Sequence, residues 1–467
     1  MPFSPFLDAQ RPYLRALIGA LSDSFPYVSV LGTDVRAKQF LVNRNSSSVR
    51  DNGMLTQCGF VVKLHDGKCF REYSFDSTEL PPEELAKKIL SAVTLSPSLK
   101  GETIVCPVPA DEPLCKSFVR ESDFENYADE DILAFAAKLK DETLAADAHV
   151  LNAIVVVSPC TVDKLFLSKR RELDQHYGWC NSMLIAIYRD GKTVQVREDV
   201  NSHRMADIFA NLPAKRERLL EKAKKLVTAK PIEPGVYDII TDSSITGLIA
   251  HEAFGHGVEM DQFVKDRALA KSYMGKYVAS PITNMRDGAA ATLSVASYFF
   301  DDDGVEAQDT QIIKDGILVA GISDLVSASQ LGTRPTGNGR RENFAHKAYT
   351  RMTNTFFEKG DSKLEDMIAS VKHGYMLFET NNGMEDPKNW QIQCTAEYGI
   401  EIVDGKLTDN YVSPVVISGS VPELLSSISM VSDCEEIHGS GFCGKGYKEW
   451  VPVSDGGPAL KARAKLA

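Results

Sequence analysis

The sequence predicts an α+β protein of two domains, an N-terminal α/β domain of two layers with a largely antiparallel sheet and a mainly antiparallel β domain after it. Short hydrophobic strands separated by tight turns recur along the whole chain, and in the first half each predicted hairpin precedes a helix. Two prolines and a glycine in the segment 228–235 interrupt both periodicities. We therefore expect domains at 1–230 and 231–467.

The N-terminal elements follow from hydrophobic periodicity and from Asp-Gly turns. In chain order they are a helix over 6–21, a strand at 27–31, a hairpin of 59–64 with 69–73, a helix over 82–93, a hairpin of 184–188 with 193–196, and a helix over 205–227. In the second domain, turns at Asp315-Gly316 and Asp404-Gly405 separate short predicted strands. The order indicates helices on one face of the first sheet.

Composition narrows the class of protein. The chain has 467 residues, of which 43% are hydrophobic and 25% charged, which suits two or three packed domains without disordered bias. A net charge of −12 argues against a nucleic-acid surface. No apolar run is long enough to span a bilayer, the N-terminus lacks a signal-peptide pattern, and the nine cysteines form no Cys-x-x-Cys pair. We expect a cytoplasmic protein without membrane contact.

The strongest chemical signal is the string His251-Glu252-Ala253-Phe254-Gly255-His256. Two imidazoles beside a carboxylate are the minimum set for holding a metal ion and activating water. Residues five apart differ by about 140° around an α-helix, so a straight helix cannot direct both rings inward. Gly255 would let the last turn open, and Gly257 could end the helix.

The start of this helix is marked by the N-cap candidates Asp242, Ser243 and Ser244. An apolar face follows, formed by Ile245, Leu248, Ile249 and Phe254. We expect a buried helix at the junction of the two domains. The motif alone also allows a core helix with two hydrogen-bonded histidines and no metal.

The chain resembles the TldD/PmbA metallopeptidases, and specifically the TldD-like members, which keep the histidine motif that PmbA-like (TldE) paralogues lack. The matching blocks are 235–238, 247–261, 337–342, 351–355, 441–446 and 451–453. The resemblance covers residues 231–467, whereas the first half matches only in layout. The chain departs from the family's usual sequence at 242–244 and at 390–392. These two differences bear on substrate preference and leave the metal motif intact.

A catalytic zinc usually has three protein ligands, so two histidines leave one place to fill. The resemblance points to Cys443, in a glycine-rich segment with Lys445 nearby. The residues alone leave two alternatives open. Glu259 could serve as the third ligand, or Cys434 and His438 could form a local zinc loop with Cys443.

Glu252 lies beside the first candidate ligand, where it would act as general base toward the attacking water. Four residues could provide a second group that stabilises the oxyanion, although each could instead make a structural or substrate-backbone contact. They are Arg340, Arg341, His346 and Tyr349. The resemblance implies a zinc-dependent peptidase acting on short or unfolded polypeptides, as a dimer with a PmbA/TldE-like paralogue or as a homodimer. The alternatives are an amidase or deformylase-like hydrolase and a non-catalytic zinc-binding regulator.

Overall fold

The computed structural model describes residues 3–95, 105–446 and 449–467. Its α-helices are α1 Pro5–Ser22, α2 Pro82–Leu95, α3 Asp129–Ala146, α4 Met205–Ala214, α5 Arg216–Leu226, α6 Ser243–Ala250, α7 Met260–Val264, α8 Leu325–Leu331, α9 Leu364–Ala369 and α10 Val421–Ser426. None of these helices is long and apolar enough to cross a membrane.

The first half contains one sheet of eight strands. The strands are β1 Tyr27–Val42, β2 Ser47–Asp51, β3 Gln57–His65, β4 Phe70–Phe75, β5 Leu114–Val119, β6 Val150–Ser168, β7 Arg171–Asp190 and β8 Lys192–Ser202. Their order is β4-β3-β1-β6-β7-β5, with β2 paired to β1 and β8 to β7. All pairs are antiparallel except β5 with β7. The predicted largely antiparallel sheet and both predicted hairpins are confirmed.

The two faces of this sheet pack against different partners, because side chains alternate along each strand. Phe40 and Val155 point toward α3, α4 and α5. Val35 and Cys160 point the other way and contact Val295 of the second half. One face therefore carries helices, as predicted, and the other forms the contact between the two halves.

The predicted single helix over 205–227 is wrong in one respect. The structure divides it into α4 and α5, with Lys215 between them. Pro213 has no amide hydrogen to donate to the preceding turn, and its ring crowds the carbonyl four residues earlier. The hydrophobic periodicity continues through the break, which is why the pattern predicted one helix.

The second half contains an eleven-stranded, mainly antiparallel sheet, as expected. Its strands are β9 Gly235–Thr241, β10 Met285–Asp287, β11 Thr310–Lys314, β12 Ile317–Leu318, β15 Asn354–Phe357, β16 His373–Asp386, β17 Gln391–Val403, β18 Lys406–Val412, β19 Val415–Ser420, β20 Met430–Lys445 and β21 Glu449–Leu466. A separate ribbon joins β13 Gly339–Arg340 to β14 Tyr349–Thr350. Strands β9, β16, β17, β19 and β21 close into a ring, since β9 pairs with both β16 and β21.

The turns that precede β12 and β18 have the predicted form. Asp315 and Gly316 both have positive φ, as do Asp404 and Gly405. Two consecutive left-handed residues are typical of the tight turns that match strand twist. Helix α6 packs on β21 and β16 with residues 245–250 all buried. It is therefore enclosed on all sides, and not only along the apolar face that the sequence indicated.

Candidate metal centre

The histidine motif lies on a distorted continuation of α6. Asp242 caps the helix, with its carboxylate accepting from the amide of Ile245 at 2.8 Å. After Ala250 the chain forms a π-helical turn over His251–Gly255, in which the amide of His256 donates to the carbonyl of His251. An i→i+5 turn holds more residues than an α-turn, so it brings side chains five apart onto one side. The two imidazole rings lie 5.2 Å apart, at right angles.

Gly255 ends the π-helical turn, where the sequence predicted that the helix opens, and it also packs closely against Met352. Its φ of −65° and ψ of −68° are accessible to any residue. A Cβ at this position would lie 3.0 Å from Cγ of Met352. A larger residue would require Met352 to shift, so close packing also favours glycine here.

Cys443 on β20 completes the cluster. Its Sγ lies 3.2 Å from Nε2 of His256, and one ligand-type atom from each of His251, His256 and Cys443 lies within 4.8 Å of the others. Pairing of β20 with β21 sets the register, with Cys443 opposite Val451. Arg351 fixes the backbone here, because its guanidinium donates to the Cys443 carbonyl at 2.6 Å.

The other ring nitrogen of His256 faces a carboxylate. Nδ1 of His256 lies 3.3 Å from Oε2 of Glu259, and Nζ of Lys445 lies 3.0 Å from the same oxygen. Burial raises the pKa of Glu259, but Lys445, His256 and Arg351 outweigh it and lower the pKa to about 2. An ionised Glu259 accepts a hydrogen bond from Nδ1 of His256, so that Nε2 could offer its lone pair to a metal ion.

Charge within the cluster follows from its geometry. Burial alone would raise the pKa of the Cys443 thiol, but His256 and His251 bring it well below its ordinary value. Burial alone would lower the pKa of His251, whereas the thiolate raises it to about 9. The sulfur is thus held as a thiolate, which is the form that binds metals.

These side chains fit a divalent ion of the zinc type. Two imidazoles and a thiolate are zinc ligands, and three protein donors leave a position for water or substrate. Nδ1 of His251 is buried and has no hydrogen-bond partner in the described part of the protein. A buried nitrogen without a partner is costly in a closed core, and a metal ion would satisfy it.

Glu252 follows the first histidine on the π-turn and is buried. Burial raises the pKa of its carboxyl, and the two histidines partly oppose that rise. Gly383 on β16 faces it, and a Cβ there would lie 2.6 Å from Cγ of Glu252. The glycine therefore leaves the space that the glutamate side chain occupies.

The remaining sequence candidates do not join this cluster. Cys434 is exposed, and Nε2 of His438 lies 2.9 Å from Oγ of Ser243. Glu259 lies on the far side of His256 from Cys443. The structure therefore favours neither alternative to Cys443.

The oxyanion candidates have partners in the fold. Arg340 donates to the carbonyls of Met352 and Pro452. Arg341 donates to Glu72 and to the carbonyl of His346. Each guanidinium thus ties segments of the chain together, as the structural interpretation proposed. His346 lies 3.2 Å from Glu449, and the ring of Tyr349 lies 5.8 Å from Nζ of Lys445.

Three neighbours of the motif were not found from the sequence. The indole of fully buried Trp390 donates to the carbonyl of Ala253 at 3.2 Å. Glu385 is two residues beyond Gly383 on the same face of β16, and both of its carboxylate oxygens are buried without a hydrogen-bond partner among the described residues. Burial raises the pKa of Glu385 well above its ordinary value. Asp455 of β21 lies over α6, where a Cβ at Gly247 would be 2.6 Å from its Oδ1.

The chain is similar in sequence to proteins that are named metalloproteases. Residues 234–464 match the family model described as the PmbA/TldA metallopeptidase C-terminal domain. A protein of Synechocystis named a metalloprotease is 27% identical over 96% of both chains. One of Saccharolobus solfataricus, named a zinc metalloprotease TldD homolog, is 28% identical over 64% of this chain and 67% of its own.

A solved structure supports the fold. TldE from Thermococcus kodakarensis superposes with a TM-score of 0.75 and 20% identity, covering 97% of this chain and 99% of its own. The sequence matches and this fold together identify the relationship. The chain belongs to the TldD/PmbA family of metallopeptidases and is similar to its TldD-like members.

Proposed function

We propose that this protein is a zinc-dependent metallopeptidase that cleaves short or unfolded polypeptides, with Glu252 as general base. One observation carries the proposal: ligand-type atoms of His251, His256 and Cys443 lie within 4.8 Å of one another beside a buried carboxylate. A purely structural site has no need of that carboxylate. The name of the Saccharolobus solfataricus relative supports zinc as the metal.

The two histidines and Cys443 would hold the ion, which when bound would polarise the scissile carbonyl and make water more acidic. Glu252 takes a proton from the attacking water and delivers it to the leaving nitrogen. Burial raises the pKa of the Glu252 carboxyl, which helps the carboxyl to keep the proton between its removal from water and its delivery to the leaving nitrogen. Glu259 and Lys445 keep His256 in the tautomer that presents Nε2.

Two cavities beside Phe442 support a polypeptide substrate. One has a volume of about 500 Å³ and the other about 360 Å³, and both are lined by Met183 and Phe442. Phe442 directly precedes Cys443 on β20, but adjacent strand residues face opposite ways, so the cavities lie near the metal ligands without being lined by them. Cavities of this size can hold an extended segment of polypeptide but not a folded domain.

We also propose a dimer, with a TldE-like partner or a second copy of this chain. The likeness of fold to TldE is compatible with either, because related subunits can form equivalent contacts. A cytoplasmic location is supported by the nine cysteines, all of which are free thiols. We place the domain boundary at residue 230, between the strands of the two sheets.

The test combines metal analysis with digestion of an unfolded polypeptide, with and without a chelator. We expect about one zinc per chain, new termini produced by peptide-bond hydrolysis, and loss of cleavage on chelation. Release of ammonia or formate without chain cleavage would identify an amidase or deformylase-like hydrolase. Bound zinc with no hydrolysis would favour a regulatory protein.

A further inference from the structure

The smaller of the two cavities has features that the proposed peptidase chemistry does not use. Its volume is about 360 Å³, within the range of small-ligand pockets. It lies between the N-terminus of α6 and strands β8, β16 and β20. Gly441 and Phe442 form the wall nearest Cys443. No candidate metal ligand lines the cavity, but Phe442 is the residue before Cys443 on β20.

Asp455 contributes a carboxylate to this cavity. It has no hydrogen-bond or ion-pair partner among the residues that the structure describes. Its side chain lies over Gly247, one helical turn before His251, and its charge interacts with that of His251. Asp455 is half-buried, and burial raises the pKa of its carboxyl.

Of the other acidic groups that line the cavity, Glu436 is exposed to solvent, and Glu198, Asp199, Asp242 and Glu379 are engaged in the fold. Lys222 lies 3.1 Å from Glu198 and 2.6 Å from Glu379. Asp242 accepts from the amides of Ile245 and Glu379. These carboxylates therefore serve the fold, whereas Asp455 is left to interact with a bound group.

Charges on His251 and His438 favour the ionised form of Asp455, but none of the cationic side chains lining the cavity, which are Arg197, Lys215, Arg218 and His438, forms an ion pair with it in the described part of the protein. Arg218 lies 3.3 Å from Glu198, and the guanidinium of Arg197 donates to the carbonyl of Thr380 at 2.7 Å. His438 is opposite Asp455 across the strand pair, but its Nε2 is directed to Ser243. A cation supplied by a ligand would pair with this half-buried carboxylate and offset its partial desolvation.

Building on the proposed peptidase function, we propose that this cavity binds a lysine or arginine side chain of the substrate, next to the cleaved bond, with Asp455 as its counter-charge. The ammonium or guanidinium would form a charge-assisted hydrogen bond with the carboxylate. The aliphatic part of the side chain would pass Phe442 and Met183. Asp455 would thus determine specificity without taking part in hydrolysis.

The experiment uses N-acetylated peptides, so that no α-amino group competes, with one position changed from lysine to norleucine or acetyl-lysine. Binding to the full-length Glu252→Gln protein is measured by fluorescence anisotropy, and cleavage by the unsubstituted protein is mapped by mass spectrometry. We expect lysine to bind about tenfold or more tightly than either neutral side chain. The cleaved bonds should lie beside lysine or arginine.

Asp455→Asn should abolish this difference while leaving the binding of the norleucine peptide unchanged. The matched control is Asp433→Asn, which removes a partly exposed carboxylate of β20 that pairs with Lys363 outside the cavity and should keep the difference. If Asp455→Asn does not fold, the proposal is tested by comparing how the lysine and acetyl-lysine peptides bind to the Glu252→Gln protein, which retains Asp455.

Equal binding of charged and neutral peptides, or a lysine preference that survives Asp455→Asn, would overturn the inference. Cleavage without any preference for basic residues would overturn it and leave the peptidase function standing. If the protein binds lysine peptides selectively but the unsubstituted protein does not cleave them, the cation site is supported and the proposed peptidase function is contradicted.

Discussion

Sγ of Cys443 lies 3.2 Å from Nε2 of His256, although 187 residues separate them in the sequence. The contact joins the π-helical turn after α6 to strand β20, so the candidate metal centre depends on both elements. It also explains why the thiol is ionised, because the histidines lower the pKa of Cys443. The consequences can be tested one side chain at a time.

Removing any proposed ligand should lower zinc content. Cys443→Ala, His251→Ala and His256→Ala each delete one of the donors that lie within 4.8 Å of one another. Zinc per chain, measured by plasma mass spectrometry, should fall markedly in all three. Cys434→Ala removes an exposed thiol of the same strand and should change nothing. Full occupancy in Cys443→Ala would exclude the thiolate as a ligand.

Glu259 should make the metal-free protein sensitive to acid. Its pKa is lowered to about 2 in the folded state, whereas an unfolded glutamate has a pKa of about 4.3. A lowered pKa contributes stability above the unfolded value, and that contribution is lost as the pH falls toward 2. The free energy of unfolding should therefore differ most between the native protein and Glu259→Gln above pH 5. The difference should shrink steadily in more acidic buffer, and a constant gap would contradict the assignment.

Gly383→Ala should impair hydrolysis more than folding. The new Cβ would lie 2.6 Å from Cγ of Glu252 and 2.8 Å from Cδ1 of Leu248, so the glutamate must move. We expect turnover to fall at least tenfold with zinc retained, since a misplacement of about 1 Å can cost two orders of magnitude. Gly19→Ala in α1, with nothing within 4 Å, is the control. Unchanged turnover in Gly383→Ala would show that Glu252 tolerates displacement.

Trp390→Phe should destabilise the π-turn. The substitution removes the indole N–H that donates to the Ala253 carbonyl, and an unsatisfied buried acceptor costs about 1–3 kcal/mol. Chemical denaturation should show this loss, and zinc should dissociate more readily in competition with a chelator. Trp450→Phe is the matched control, because Trp450 is 39% exposed. Equal effects of both substitutions would remove the special role of Trp390.

The parts of the site that are local in sequence could be predicted. The spacing of His251 and His256 required a distorted helix, and the structure has one in that place. The cap at Asp242 and the Asp-Gly turns depend on neighbouring residues only, and they too were predicted correctly. Local rules suffice where the partners are a few residues apart.

The remaining parts depend on the pairing of distant strands. Cys443 could be selected only through the family resemblance, since its distance from His256 is set by the register of β20 on β21. Glu385 and Asp455 belong to no recognisable pattern and reach the site through β16 and β21. Pro213 shows the opposite error, because periodicity suggested a continuous helix where one missing amide hydrogen divides it.

The most direct test of the account is Glu252→Gln. Glutamine keeps the size of the side chain and removes the base, so zinc should stay bound and thermal melting should be nearly unchanged. Peptide turnover on the same preparation should fall by roughly two to four orders of magnitude. Turnover at the unsubstituted rate with zinc in place would contradict the proposed hydrolytic mechanism.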